Sequence, residues 1–183
     1  IYQIYADIPS ILNALEASEV DVMSYEGGGV PVSKVERLSQ VEHLTVLADM
    51  DAGLPTYLQF NHNLEWLQDP RVRQAMVYAI DRQTIIDTIK KGTGALANTM
   101  FPAEWTHPAD LEPYAYDPAK AQQLLAEAGW DSSRQIDFIY YYADQVNKDT
   151  ITAIQAFLAQ VGVNIVPRLL NPAEIQAVYG DGS

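Results

Sequence analysis

The sequence predicts an α/β fold, and three observations carry that reading. Gln135 to Tyr142, Asp149 to Val161 and Val163 to Leu170 read in turn as strand, helix and strand, a unit that favours a right-handed parallel crossover. The first sixty residues alternate short β-like runs with helical periodicity. An Asp-Pro pair opens two helical segments, at Asp69-Pro70 and at Asp117-Pro118. In each the carboxylate can accept backbone N–H bonds as N-cap, while the proline supplies a preset φ at the first helical position.

Taken in order, Ile1 to Ala6 reads as a strand, and Ile8, Ile11, Leu12 and Leu15 then fall at helical spacing with Pro9 in the first turn. Val20 to Ser24 is expected as a short strand running into Glu26 and three glycines. A helix over Val32 to Leu38 is followed by expected strands at His43 to Ala48 and Pro55 to Asn61. The helix opened by Asp69 carries Val72, Ala75, Met76 and Ala79 on one face. Asp81 caps a second helix expected to reach Lys91, with Ile85, Ile86 and Ile89 inward. Thr93 to Tyr116 is rich in Pro, Gly and aromatics and reads as a long loop, a feature that in compact domains is more often functional than idle. The helix opened by Asp117 presents Leu124, Leu125 and Ala128 and stops at Gly129.

Composition narrows the function. The 183 residues hold 48% apolar side chains, enough for a core, and carry a formal charge of −13. That charge repels phosphate backbones and anionic lipid headgroups, so nucleic acid is not expected as a partner. With no cysteine there is no disulfide framework, no thiolate nucleophile and no Cys-based zinc site. The histidines at 43, 62 and 107 are far apart in sequence and no two stand four residues apart, which argues against a His-rich metal centre. Gly27 to Gly29 has no following Lys-Ser/Thr pair, and neither a dinucleotide fingerprint nor G-x-S-x-G nor H-E-x-x-H is present. No catalytic residue, metal site or cofactor is therefore assigned.

The run Asp69-Pro-Arg-Val-Arg-Gln-Ala-Met-Val-Tyr-Ala-Ile-Asp-Arg82, following Gln59-Phe60-Asn61, resembles the signature of the family 5 solute-binding proteins, the binding components of dipeptide, oligopeptide and nickel ABC importers. Further matches follow in the right order at Ala14 to Asp21, at Tyr116 to Ala121 with Leu124 to Gly129, and at Leu158 to Val163. The resemblance implies a type II periplasmic-binding-protein-like fold, with residues 1–61 the returning part of lobe I, 62–183 a partial lobe II, and a hinge near Phe60 to Asn63. It implies a protein longer at both ends than this chain. It also implies capture of peptide between two lobes and delivery to the membrane permease subunits of an ABC importer, at an extracytoplasmic location with a lipid anchor left open. A saccharide, a nickel chelate or another small solute is the alternative cargo, and a hydrolase reusing the fold the alternative class.

The residues assigned to the solute are Tyr25, Glu26, Trp105, Tyr141, Tyr142, Asp144 and Gln145. The argument is topological, because these positions follow strand ends or sit in the long loop, where open α/β sheets present ligands. Asp144 is the expected partner of a peptide's terminal ammonium. The two acids and two arginines around residue 70 are expected to cap and pack rather than bind, since Arg71 and Arg73, two apart, do not share a helix face.

Overall fold

A computed structural model describes residues 2–23, 29–47, 55–101, 107–111 and 113–180. The chain divides into two compact units, Ile1–Met50 and Asp51–Ser183. Each is built around its own apolar cluster.

In the first unit, α1 (Ile8–Glu16) starts from Asp7, whose side chain accepts from Ser10 N–H at 2.8 Å. It ends in a Schellman motif, with Ser18 at φ 58° and N–H bonds from Ser18 to Leu15 O and from Glu19 to Ala14 O. Leu12 and Leu15 meet Leu38 of α2 (Val32–Leu38), with Ile8, Val20, Met23, Val30, Leu44 and Val46 packed around them. His43 bonds Leu15 O through Nε2 at 3.3 Å and so fastens the segment after α2 to the end of α1.

The second unit holds α3 (Glu65–Gln68), α4 (Pro70–Ala79), α5 (Arg82–Thr88), α6 (Pro118–Glu127), β1 (Gln135–Tyr140), α7 (Gln145–Gln160), β2 (Asn164–Leu169) and α8 (Pro172–Gly180). Its core joins Val72, Ala75, Met76 and Ala79 of α4 to Ala121, Leu124 and Leu125 of α6 and to Ile154 and Leu158 of α7. Leu58 and Phe60 pack against this same cluster. By packing, therefore, residues 55–61 travel with the second unit.

β1 and β2 run parallel, with Ile136 opposite Ile165 and Tyr140 opposite Leu169, and α7 makes the crossover. The Leu170 N–H bond to Tyr140 O at 2.8 Å fixes which backbone groups face β1, and those of Ile165 and Pro167 point the other way. Pro167 has no N–H to offer there, and Ile165 O is taken by Gln155 Nε2 of α7 at 2.9 Å. The outer edge of β2 is thereby blunted against a further strand, and the sheet can grow along β1.

Several expectations need correction. None of the described residues in 2–6, 20–23, 43–47 or 55–61 belongs to a strand. Alternating apolar residues favour an extended chain, but a strand also needs a neighbouring backbone, and none of the described residues supplies one; Tyr2 and Ile4 lie 100% and 96% exposed. α5 stops at Thr88 rather than Lys91, because Lys91 and Gly92 turn left-handed at φ 50° and 75°. α7 begins at Gln145, ahead of the expected Asp149, with Asp144 as its cap. The strands at 135 and 163 are each shorter than expected, spanning Gln135–Tyr140 and Asn164–Leu169. Helices α3 and α8 lie outside the expectation, although Asn171-Pro172-Ala173-Glu174 carries a full signal for α8: Asn171 Oδ1 accepts from Glu174 N–H at 3.0 Å and Glu174 Oε2 from Asn171 N–H at 2.8 Å.

α6 and α7 end alike. Gly129 and Gly162 sit at φ 66° and 81°, and the next residues fold back, Trp130 N–H onto Leu125 O and Val163 N–H onto Leu158 O. A Cβ at residue 162 would meet Ser132 Cβ only at 3.6 Å, so space is available and the restriction lies in the backbone. Gly162→Ala is expected to lower unfolding free energy by about 1–2 kcal/mol, the penalty for a left-handed non-glycine residue. Urea denaturation checks this, and an unchanged midpoint would contradict it.

Candidate functional site

Because β1 and β2 are parallel, their carboxyl ends emerge at the same end of the sheet, and the chain that leaves β1 there enters α7. Four of the assigned residues occupy this corner. The rings of Tyr141 and Tyr142 lie 4.5 Å apart at 47° and are 40% and 60% exposed, so neither is committed to the core. Tyr140, the last residue of β1, is half-buried. Gln145 is exposed and donates through Nε2 to Asp149 Oδ1 at 2.7 Å.

Asp144 caps α7. Its Oδ1 accepts from Asn147 N–H at 3.0 Å and its Oδ2 from Asn147 Nδ2 at 2.6 Å. Partial burial pushes the carboxyl up, but the side-chain and backbone bonds from Asn147, with further backbone N–H groups, together hold it below the usual aspartate value. Asp144 is therefore ionised at neutral pH. The bonds from Asn147 take one lone-pair site on each oxygen, and the backbone N–H groups of Val146 and Asp144 also lie against the carboxylate.

The long loop is held at its base. Arg82 donates through Nη1 to Ala97 O at 3.1 Å and through Nη2 to Pro113 O at 2.8 Å and Tyr114 O at 2.9 Å. The Tyr114 ring lies 5.2 Å from that of Tyr78, and its hydroxyl accepts from Gln74 Nε2 at 3.3 Å. Beside it runs a groove of about 260 Å³ lined by Phe60, Pro70, Arg73, Gln74, Val77 and Tyr114. Within the loop, His107 Nε2 bonds Phe101 O at 3.0 Å. Trp105 lies outside the described residues, as do Tyr25 and Glu26.

Around residue 70 the charges serve structure. Asp69 caps α4 through Arg71 N–H at 2.8 Å and grips the Arg71 guanidinium, which holds its carboxyl below the usual range. Arg71 Nη1 also caps the end of α6 at Glu127 O, 2.8 Å away, while Arg73 Nη1 caps α3 at Leu67 O and Gln68 O, 2.6 and 2.9 Å away. Sequence reasoning did not single out a second groove, of about 240 Å³, where Trp66 and Trp130 meet edge-on at 5.5 Å and Arg134 lies 5.2 Å from the Trp66 ring. Its parts come from two segments, 65–72 and 128–134, far apart in the chain, and no local pattern links them. Among the described residues, no three His, Asp or Glu side chains cluster as metal ligands.

Residues 1–181 match the model of the bacterial extracellular solute-binding proteins, family 5 Middle, and the chain belongs to that family. It is 34% identical, over its whole length and 34% of the relative's, to an ABC transporter peptide-binding protein of Brucella ovis. Against the dipeptide-binding protein of Escherichia coli it is 30% identical over 75% of this chain and 25% of the relative's. Among solved structures, NikA from Brucella suis in complex with Fe(III)-EDTA superimposes with a TM-score of 0.77 at 30% identity, covering 97% of this chain and 38% of that one. The fold is that of the type II periplasmic binding proteins. The chain spans about a third of the length of the curated relatives it matches.

The cap on α7 yields a pH prediction. The folded-state pKa of Asp144 is depressed, so its contribution is fully present above the unfolded value, near 3.8, and fades as pH falls through the folded value. Asp144→Ala is expected to cost about 1 kcal/mol at pH 7, the usual value of an N-cap, and progressively less below pH 4. Urea unfolding of both proteins across that range checks it, and a difference that stays constant to pH 2 would contradict the assignment.

Proposed function

We propose that the protein carrying this chain is the solute-binding component of an ABC importer that captures peptide between two lobes and delivers it to the permease subunits. The observation that carries the reading is the 34% identity, along the entire chain, to a protein named for peptide binding. In this reading residues 1–61 belong to lobe I and 62–183 to lobe II, with the hinge near Phe60 to Asn63. The location is extracytoplasmic, as the family description implies. Among the described residues no helix is long and apolar enough to cross a membrane.

The solute contacts are Tyr25 and Glu26 from one lobe and Trp105, Tyr141, Tyr142, Asp144 and Gln145 from the other. Two exposed tyrosines beside an ionised carboxylate support this, since aromatic rings bury large area with few rotors and a carboxylate holds an ammonium by a charge-assisted bond. The protein binds without turnover. A second cargo, a metal chelate, is favoured by one observation, the likeness to NikA with Fe(III)-EDTA bound.

Calorimetry of the whole protein with free-amine peptides and with metal chelates separates the two, because heat of binding with peptides alone is expected. In the same assay, Asp144→Ala is expected to weaken a free-amine peptide by about 1.5–3 kcal/mol, the range for hydrogen bonds to charged groups, and to leave its N-acetylated analogue nearly unchanged. Equal losses for both would remove Asp144 as the ammonium anchor.

A further inference from the structure

We infer that Arg82 is a positioning residue that clamps the two ends of the long loop, at Ala97 and at Pro113 and Tyr114, to the corner between α4 and α5. Arg82 is the first residue of α5, just after the cap in which Asp81 accepts from Thr84 N–H at 2.9 Å. Its side chain is half-buried and has no carboxylate within ion-pair distance among the described residues. Three backbone carbonyls answer its charge instead, one where the loop leaves, at Ala97, and two where it returns, at Pro113 and Tyr114. Burial lowers the guanidinium's pKa, yet the group stays protonated throughout the physiological range.

The fork geometry is what permits the clamp. Nη1 and Nη2 point apart, so one planar group reaches both ends of the loop, which a lysine ammonium cannot do with the same spread. The entropic cost of joining the two ends grows only slowly with loop length, so a few charge-assisted bonds can offset it. The return end is further shaped by Tyr114, left-handed at φ 45°, with its ring on Tyr78, and by the Asp117 N–H bond to Tyr78 O at 2.9 Å. Tyr114 is also a wall of the 260 Å³ groove, so the clamp sets the shape of that groove. The sequence places Arg82 in the same run as Arg71 and Arg73, but those two cap neighbouring helices, and only Arg82 bridges the loop.

Hydrogen exchange on the whole protein tests this with Arg82→Met, Arg82→Lys and, as control, Arg71→Met. Amides of residues 98–101 and 107–111 are expected to exchange on the order of tenfold faster or more in Arg82→Met, with α7 amides unchanged and Arg71→Met leaving the loop as in the parent. Arg82→Lys should fall between parent and Arg82→Met, and this comparison decides the matter if the methionine variant does not fold. Parent-like loop exchange in the lysine and methionine variants, or a rise no larger than in α7, would overturn the clamp.

The consequence for binding rests on the reading that places Trp105 at the solute. With that reading, peptide affinity falls several-fold in Arg82→Met, and the fall is absent in a Trp105→Ala background. A loosened loop with unchanged affinity would uphold the clamp and remove Trp105 from the solute site.

Discussion

One hydrogen bond joins the elements on which the second unit is built. Trp130 Nε1 donates to Gly162 O at 3.0 Å, linking the left-handed end of α6 to that of α7. The same indole meets Trp66 of α3 edge-on, and the Arg134 guanidinium covers both rings at 5.2 and 5.9 Å. Cation–π and aromatic contacts of this kind are each worth about 0.5–1.5 kcal/mol, and a partly buried indole N–H needs an acceptor. Trp130 is thus where three helices are pinned together, at the end of the sheet where both strands begin.

That joint determines what happens at the other end. With α7 turned back at Gly162, β2 starts at Asn164 opposite Gln135, and the register carries both strands forward to Tyr140 and Leu169. The exposed tyrosines and the ionised Asp144 follow from the place where β1 runs out. Stability is concentrated at the amino ends of the strands and adaptable polar and aromatic groups at the carboxyl ends, the arrangement by which open α/β sheets present ligands.

Helices were more legible in the sequence than strands, for a physical reason. Asp69-Pro70 and Asp117-Pro118 announce their helices because cap and proline act within one turn, and both caps form, at Arg71 N–H and Lys120 N–H. Asp144 performs the same task without a proline beside it, and its role as cap emerged only from the structure. The expected strands of the first sixty residues depended on partners that no local pattern specifies. The expected strand ran to Tyr142, whereas β1 ends at Tyr140 and the two tyrosines that follow are both exposed. Arg82 was invisible as a clamp because its acceptors are carbonyls 15, 31 and 32 residues away, and a backbone carbonyl leaves no mark in a sequence.

The family match and the similarity to a protein named for peptide binding support the proposal that cargo is held between lobes, and the charge of −13 on these 183 residues suits a cationic group on it. In the proposed site an ammonium-bearing peptide would meet Asp144 and the two exposed tyrosines, and backbone groups at the strand ends would serve any side-chain sequence. Native mass spectrometry of the whole protein, purified from its own cells without denaturant, tests this most directly. The account predicts a distribution of co-purifying short peptides that is released on unfolding; a single sugar or metal chelate in the same position would contradict it.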